Sequence, residues 1–173
     1  MAQLMLRKAW LQLRPQEPLP AMEDVNGRPA LSTEGFLDFN FSHSGSMVAC
    51  AVSSSLRIGL DLEEKRPLDL NNYVRTMGHE EWRTIRRHKH PSTLFLKNWT
   101  YKEALSKAMG KGLYHPFSTI EITYPTHEVE GEIYRMMPLE LHHSVVAHLA
   151  LHNADSSVLP ELYGSKIRDL LPS

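Results

Sequence analysis

Arg57-Ile58-Gly59-Leu60-Asp61-Leu62-Glu63 alternates between apolar residues and small or acidic ones. A strand turns successive side chains to opposite faces. Ile58, Leu60 and Leu62 then share one face, and Gly59, Asp61 and Glu63 share the other. Asp61 and Glu63 stand ~7 Å apart at the backbone on one side of the strand. Like charges this close are unfavourable without a cation or a basic partner. Two descriptions fit the strand by itself. It is either a half-exposed strand with a solvated acidic end, or it carries two oxygen ligands that converge on one hard cation.

Working outward, two strand-like runs precede it. Residues 36–42 alternate, with Phe39 and Phe41 on one face and Asp38 and Asn40 on the other. Residues 47–52 are a small-residue apolar run suited to a buried strand. Ser44-Gly45 and residues 53–55 supply turns, so the three strands are expected to form a meander. Before them, residues 1–10 read as a short helix with Leu4, Leu6, Ala9, Trp10 and Leu13 as its apolar positions. Residues 14–35 read as a Pro-rich connector with a turn at Asn26-Gly27.

Downstream, residues 69–89 look helical, with Gly78 dividing the segment. Pro91-Ser92-Thr93 is a helix start and Gly110 a helix stop, enclosing a helix over 94–109. Strands are expected at 119–124, 132–138 and 144–151, followed by a tail over the last ~20 residues. Helices mixed with strands in this order give an α+β fold. One internal echo joins two distant runs. His43-Ser44-Gly45-Ser46-Met47-Val48-Ala49-Cys50-Ala51 resembles His142-His143-Ser144-Val145-Val146-Ala147-His148-Leu149-Ala150, as chance or a duplicated α+β unit would produce.

The helix over 94–109 has two stripes. Leu94, Tyr101, Leu105 and Ala108 fall on a core face. Trp99, Glu103 and Lys107 follow one another at intervals of four on a second stripe, roughly opposite. A solvated face with one Glu–Lys pair worth ~0.3–0.5 kcal/mol is the plain description. Trp99 and Leu96 add apolar area that such a face does not need, which suits the wall of a cleft. Glu103 could then join Asp61 and Glu63 around magnesium, which takes oxygen ligands and keeps water and phosphate in its shell. Lys107 could meet a phosphate. The segment Phe39-Asn40-Phe41-Ser42-His43-Ser44-Gly45 ends a strand with hydroxyls, an imidazole and a flexible glycine, a combination found both in structural turns and at phosphate sites.

Composition narrows the classes. The 173 residues suffice for one core, and the net charge of -1 gives no global attraction to nucleic acid or membrane. Cys50 is the only cysteine, so no disulfide framework or cysteine-rich zinc site can form, as fits a reducing cytoplasm. No apolar run reaches the ~20 residues of a membrane span, and Arg7 and Lys8 interrupt the start, unlike a secretory signal. The 10 histidines, including His88, His90, His142 and His143, leave a His-rich metal-binding module as an alternative from another class. Arg83, Arg86, Arg87 and Lys89 form a basic run that is either a solvated helix face or a docking site for an acidic partner.

Taken in order, these segments resemble the phosphopantetheinyl transferase superfamily, in particular its larger, surfactin-synthetase-activating type. Asn26-Gly27-Arg28-Pro29 with Phe39-Asn40-Phe41-Ser42-His43-Ser44 looks like the first motif, and Ile58-Gly59-Leu60-Asp61-Leu62-Glu63 looks like the second. Trp99-Thr100-Tyr101-Lys102-Glu103-Ala104-Leu105-Ser106-Lys107, followed by Gly110-Lys111-Gly112, looks like the third. The resemblance implies two similar α/β lobes with the active site between them, the first over about 1–60, the second over about 61–155, and a tail over 156–173. It implies Asp61, Glu63 and Glu103 as ligands of Mg2+, with Mn2+ as a substitute. Arg28, Ser42, His43, Lys102 and Lys107 are implied as contacts to coenzyme A, with Glu103 and Lys107 as catalytic residues and Glu81 as a further acid near the site. The implied reaction moves the phosphopantetheine arm of coenzyme A to a serine of an acyl or peptidyl carrier protein. A catalytically impaired member that only binds carrier or coenzyme A is the alternative within the same fold. Only ~25 residues precede Asn26, fewer than in the larger members, so the first lobe is expected to be shortened, by truncation of the reading frame or by nature.

Overall fold

The computed structural model describes residues 2–25, 28–32, 37–110, 116–155, 157–158 and 160. In chain order the elements are α1 (Ala2–Leu13), β1 (Met22–Val25), β2 (Arg28–Leu31), β3 (Asp38–Ser44), β4 (Met47–Ser53) and β5 (Ile58–Glu64). They continue with α2 (His79–Arg87), α3 (Pro91–Met109), β6 (Thr126–Val129), β7 (Glu132–Leu139) and β8 (Val145–His152). One antiparallel sheet runs in the order β5-β8-β7-β6, and β1-β2 and β3-β4 are two-stranded pairs. The fold is α+β. Asn26, Gly27, Lys111, Gly112 and nearly all of the expected tail lie outside the described residues.

The expected meander is not formed, because β5 pairs with β8 and not with β4. The reason lies in the polar face of β3. Asp38, Asn40, Ser42 and Ser44 all point at the free edge of β5. Their side-chain oxygens accept the N–H groups of Ile58, Leu60, Leu62 and Glu64 at 2.7, 2.9, 3.0 and 3.1 Å. Side chains thus do what the carbonyls of a neighbouring strand would do, and no buried N–H is left without a partner along that edge. The other face of β3 carries Phe39 and Phe41, which pack with Leu6 and Trp10 of α1.

The alternation read in β5 is present in three dimensions. Ile58 and Leu60 pack with Leu149 and Leu151 of β8, and Ala49 and Ala51 of β4 close that cluster. Gly59 lies beneath α3, where a Cβ would collide with the backbone of Ala104 and Ala108. The missing side chain lets the helix press directly on the acidic face of the strand. The helix ends at Gly110, whose φ of 69° is left-handed and whose N–H donates to the Ser106 and Lys107 carbonyls. Burial runs around much of α3. Phe95, Tyr101, Leu105 and Ala108 are core, together with the polar Thr100, Lys102 and Ser106, whereas Leu94 is only partly buried. Trp99 is half-buried against Phe95, Tyr73 and Phe117, with ring centroids 6.0, 6.4 and 5.2 Å away.

Gly78 divides the segment over 69–89 as expected, but only the part after it is an α-helix. A short 3-10 turn over Leu70–Tyr73 is followed by α2, and Gly78 precedes it with its N–H donated to the Glu81 carboxylate at 3.2 Å. Residues 119–124 are not a strand. A 3-10 turn at Phe117–Thr119 leads through an extended stretch to β6, which begins only at Thr126. The connector over 14–35 contains the hairpin β1-β2, whose four-residue strands are too short for their periodicity to show.

His148 of β8 is buried at 3% exposure beneath α3. Its Nδ1 lies 2.8 Å from Thr100 Oγ1 and its Nε2 lies 2.6 Å from the Tyr124 hydroxyl. Thr100 Oγ1 already donates to the Leu96 carbonyl at 2.9 Å, so Nδ1 carries the proton and the tyrosine donates to Nε2. Burial, aided by Lys97, pushes this imidazole down from 6.5 to about 4. The unfolded chain therefore takes up a proton that the folded chain refuses, and stability is lost as pH falls from 6.5 toward about 4. His148 is expected to contribute up to about 3 kcal/mol to that loss. Urea unfolding at about pH 7 and about pH 4.5 checks this, with His148→Gln expected to flatten the slope; an unchanged slope places the acid sensitivity elsewhere.

Candidate active site

Four elements meet around Asp61. β5 presents Asp61 and Glu63, α3 presents Glu103 and Lys107, β3 presents Ser42 and Ser44, and β2 presents Arg28. Asp61 Oδ1 accepts from Lys107 Nζ at 2.7 Å and from Ser42 Oγ at 2.9 Å. Asp61 Oδ2 is buried and has no partner. Lys107 also donates to the Leu60 carbonyl at 3.1 Å, so it stitches α3 to the strand. Glu63 Oε2 accepts from Ser44 Oγ at 2.6 Å and from Arg66 at 2.8 Å.

The electrostatics are those of a crowded acidic cleft. Burial raises the pKa of Asp61 and Glu63's charge adds to this, while Lys107 and Ser42 pull it down. Burial also raises Glu103, followed by the charge of Asp61, with Lys107 opposing and Glu63 adding a further push. The three carboxylates read from the sequence therefore feel one another's charge. Among the described residues, however, no three His, Cys, Asp or Glu side chains converge closely enough to hold a metal ion. The described histidines form no such group either. The donor set nonetheless fits a hard cation. It consists of carboxylate oxygens, one of them buried and unpartnered, and two of its members are penalised for being charged.

The other expected contacts separate. Ser42 faces the carboxylates, but His43 is the next residue of the strand and points to the opposite face, shared with Phe39 and Phe41, where it is exposed near the strand's end. Arg28 does not present a free guanidinium. It donates to Asp38 at 2.6 Å, to the Ile58 carbonyl at 2.7 Å and to the Lys107 carbonyl, clamping β2, β3, β5 and α3 together. Lys102 is fully buried and points away from the acids, because one residue along a helix is a turn of about 100°. Its ammonium donates to Glu81 at 2.5 Å and to the Phe117 carbonyl at 2.8 Å. Glu81 is thus the partner of Lys102 and, by its bonds to Gly78 and Asn98, an anchor between α2 and α3. The basic run lies on an exposed face of α2 and just beyond it, where Arg83 pairs with Glu80 and Arg86 bonds Asn71 and covers the Trp82 ring. Sequence reasoning identifies Ser44 only as one hydroxyl of a strand end, not as a donor to Glu63, and misses Arg66 altogether. Ser44 extends the polar alternation of β3 by one step, and Arg66 lies three residues past Glu63, so both had a local signal.

The family model for the 4'-phosphopantetheinyl transferase superfamily matches residues 57–149. The chain belongs to that superfamily. The match contains Asp61, Glu63, Glu103 and Lys107, while Arg28, Ser42 and His43 precede it. The 4'-phosphopantetheinyl transferase AcpT of Salmonella typhimurium is 33% identical over 130 residues, covering 69% of this chain and 67% of AcpT. The 4'-phosphopantetheinyl transferase gsp of Aneurinibacillus migulanus is 29% identical over 126 residues, covering 70% of this chain and 52% of gsp. The chain thus spans between half and two thirds of the length of these transferases. The crystal structure of Thermotoga maritima holo-[acyl-carrier-protein] synthase superposes with a TM-score of 0.43 at 20% identity, over 60% of this chain and 73% of that one. No helix among the described residues is long and apolar enough to cross a membrane.

The raised carboxyl groups give the acidic site a testable energetic signature. A carboxyl whose folded pKa is raised favours the fold at low pH, and that advantage disappears as pH rises through the folded value. At neutral pH, without divalent cation, Glu103→Gln is expected to stabilise the fold by up to about 1 kcal/mol, or ~2–4 °C in Tm. Added Mg2+ or Mn2+ should raise the wild-type Tm more than that of the variant. Thermal melts with and without cation check this, and a variant less stable than wild type in cation-free buffer would mean that the acids do not repel one another.

Proposed function

We propose that the chain transfers the 4'-phosphopantetheine arm of coenzyme A to a serine hydroxyl of an acyl or peptidyl carrier protein, releasing 3',5'-ADP, with Mg2+ as cofactor and Mn2+ as substitute. Membership of the superfamily supports the reaction class. The observation that carries the site assignment is the unpartnered, buried Asp61 Oδ2 set among Glu63, Glu103 and Lys107.

Asp61, Glu63 and Glu103 would hold the magnesium, which neutralises charge on the pyrophosphate oxygens when bound. Lys107, held at the same site by Asp61, would stabilise the charge that develops on the departing 3',5'-ADP as the serine oxygen bonds the β-phosphorus and the anhydride bond of the pyrophosphate breaks. Glu103 is the proposed base. A serine hydroxyl is a poor nucleophile at neutral pH, and a carboxylate whose pKa is lifted by burial and neighbouring acids is better matched to accept its proton. Ser42 orients Asp61 through their 2.9 Å hydrogen bond. His43, exposed near the end of β3, is proposed to contact a phosphate of coenzyme A. Arg28 and Lys102 act by positioning, since their hydrogen bonds are spent on the protein.

The direct test incubates the purified chain with coenzyme A, Mg2+ and an apo carrier protein and looks for the mass gain of one phosphopantetheine. Glu103→Gln is expected to lower transfer by at least about 10²-fold while leaving the far-UV spectrum unchanged. Full activity in that variant rejects the assignment. Carrier or coenzyme A binding without any mass gain would instead identify a silent member of the superfamily.

The exposed basic face of α2 is proposed to receive an acidic helix of the carrier. Reversing Arg87 and Lys89 to glutamate should raise the KM for carrier protein several-fold, on the order of 1 kcal/mol, and leave coenzyme A binding unchanged. An unaltered carrier KM removes α2 from the docking surface.

A further inference from the structure

We propose that Arg66 is a resident counter-cation for Glu63 that a divalent metal must displace, so that metal binding and release of the Arg66 guanidinium are one coupled event. The inference rests on the magnesium reading of the site given above. Its basis is a mismatch within the cleft. Asp61 offers a buried oxygen with no partner, yet the three acids do not converge. Glu63 is held elsewhere. Its Oε2 accepts both Arg66, at 2.8 Å, and Ser44 Oγ, at 2.6 Å. Arg66 is steadied by a further hydrogen bond to the Glu64 carbonyl at 3.0 Å.

The two ion pairs of the cleft differ in depth. Lys107–Asp61 has side-chain exposures of 29% and 9%, whereas Arg66–Glu63 has 46% and 22%. An exposed pair is weak and screened, so it is the one that a metal can break. Arg66 lies two residues beyond the end of β5, and its long stem can swing into solvent without disturbing the strand. Ser44 stays, because its oxygen also accepts the Glu64 N–H. By linkage, whatever favours Arg66 on Glu63 weakens the metal, and the metal sets Arg66 free at the mouth of the cleft.

The test measures Mn2+ affinity by calorimetry and by the loss of the free Mn2+ electron paramagnetic resonance signal. Arg66→Gln is expected to bind Mn2+ about two- to fivefold more tightly than wild type. Lys65→Gln removes the same charge one residue away, where the ammonium bonds the His143 carbonyl, and should change affinity much less. In a Glu63→Gln background, Arg66→Gln should have no further effect. Equal or weaker binding by Arg66→Gln overturns the proposal, as does an equal gain from Lys65→Gln or a gain that persists without Glu63. If wild type and Arg66→Gln both fail to bind Mn2+, the magnesium reading itself falls, and this coupling falls with it.

Discussion

The free edge of β5 is the constraint on which the rest depends. The strand has a backbone partner on one side only, β8, and must bury its other row of N–H groups under β3 and α3. Four side-chain oxygens, spaced every second residue along β3, meet that requirement. Basic side chains complete the edge, with Arg28 donating to the Ile58 carbonyl and Lys107 to the Leu60 carbonyl. An unsatisfied buried peptide group costs about 1–3 kcal/mol, so loss of several of these contacts would remove much of the stability of a domain this size. Side chains can close an edge at any strand separation, whereas a backbone ladder fixes it at about 4.8 Å. β3 can therefore turn its aromatic face toward α1 while its polar face holds β5.

The same clasp builds the acidic site. Ser42 accepts the Leu62 N–H and gives its own proton to Asp61. Ser44 accepts the Glu64 N–H and gives its proton to Glu63. Each hydroxyl has one proton, and its acceptor role is fixed by the strand edge, so that proton is directed at a carboxylate. The structural and chemical roles of these serines cannot be separated by sequence distance. A change made to loosen the site would also loosen the edge, and the reverse holds too.

What the sequence revealed follows from the range of each interaction. The alternation of β5 and the placement of Gly59, Asp61 and Glu63 on one face were legible, because a strand's period is local. The alignment of Glu103 and Lys107 along α3 was legible for the same reason. The pairing of β5 with β8, across some ninety residues of chain, was not, because nothing local distinguishes an edge closed by serines from one closed by a strand. The resemblance implied Arg28 and Lys102 as contacts to coenzyme A, and a motif does not show which protein groups such residues already hold. Their partners, Asp38, the Ile58 carbonyl, Glu81 and the Phe117 carbonyl, are reached only after folding. The echo between residues 43–51 and 142–150 led into β4 and β8, two small-residue strands, of which β8 is paired on both edges and β4 only with β3.

Gly59 then determines how strongly the acids oppose one another. Because it has no side chain, the backbone of α3 sits on β5 at closest approach, and Glu103 of that helix feels the charge of Asp61. A Cβ there would lift the helix, separate the carboxylates and relieve their repulsion, at the cost of a looser core. Lys107 offsets part of the repulsion, but its ammonium reaches only one oxygen of Asp61 and leaves the other without a partner. The packing that stabilises α3 on the sheet is thus the packing that concentrates negative charge. Neutralising either acid, by a proton or by a nearby positive charge, relieves that opposition, as Lys107 already does in part.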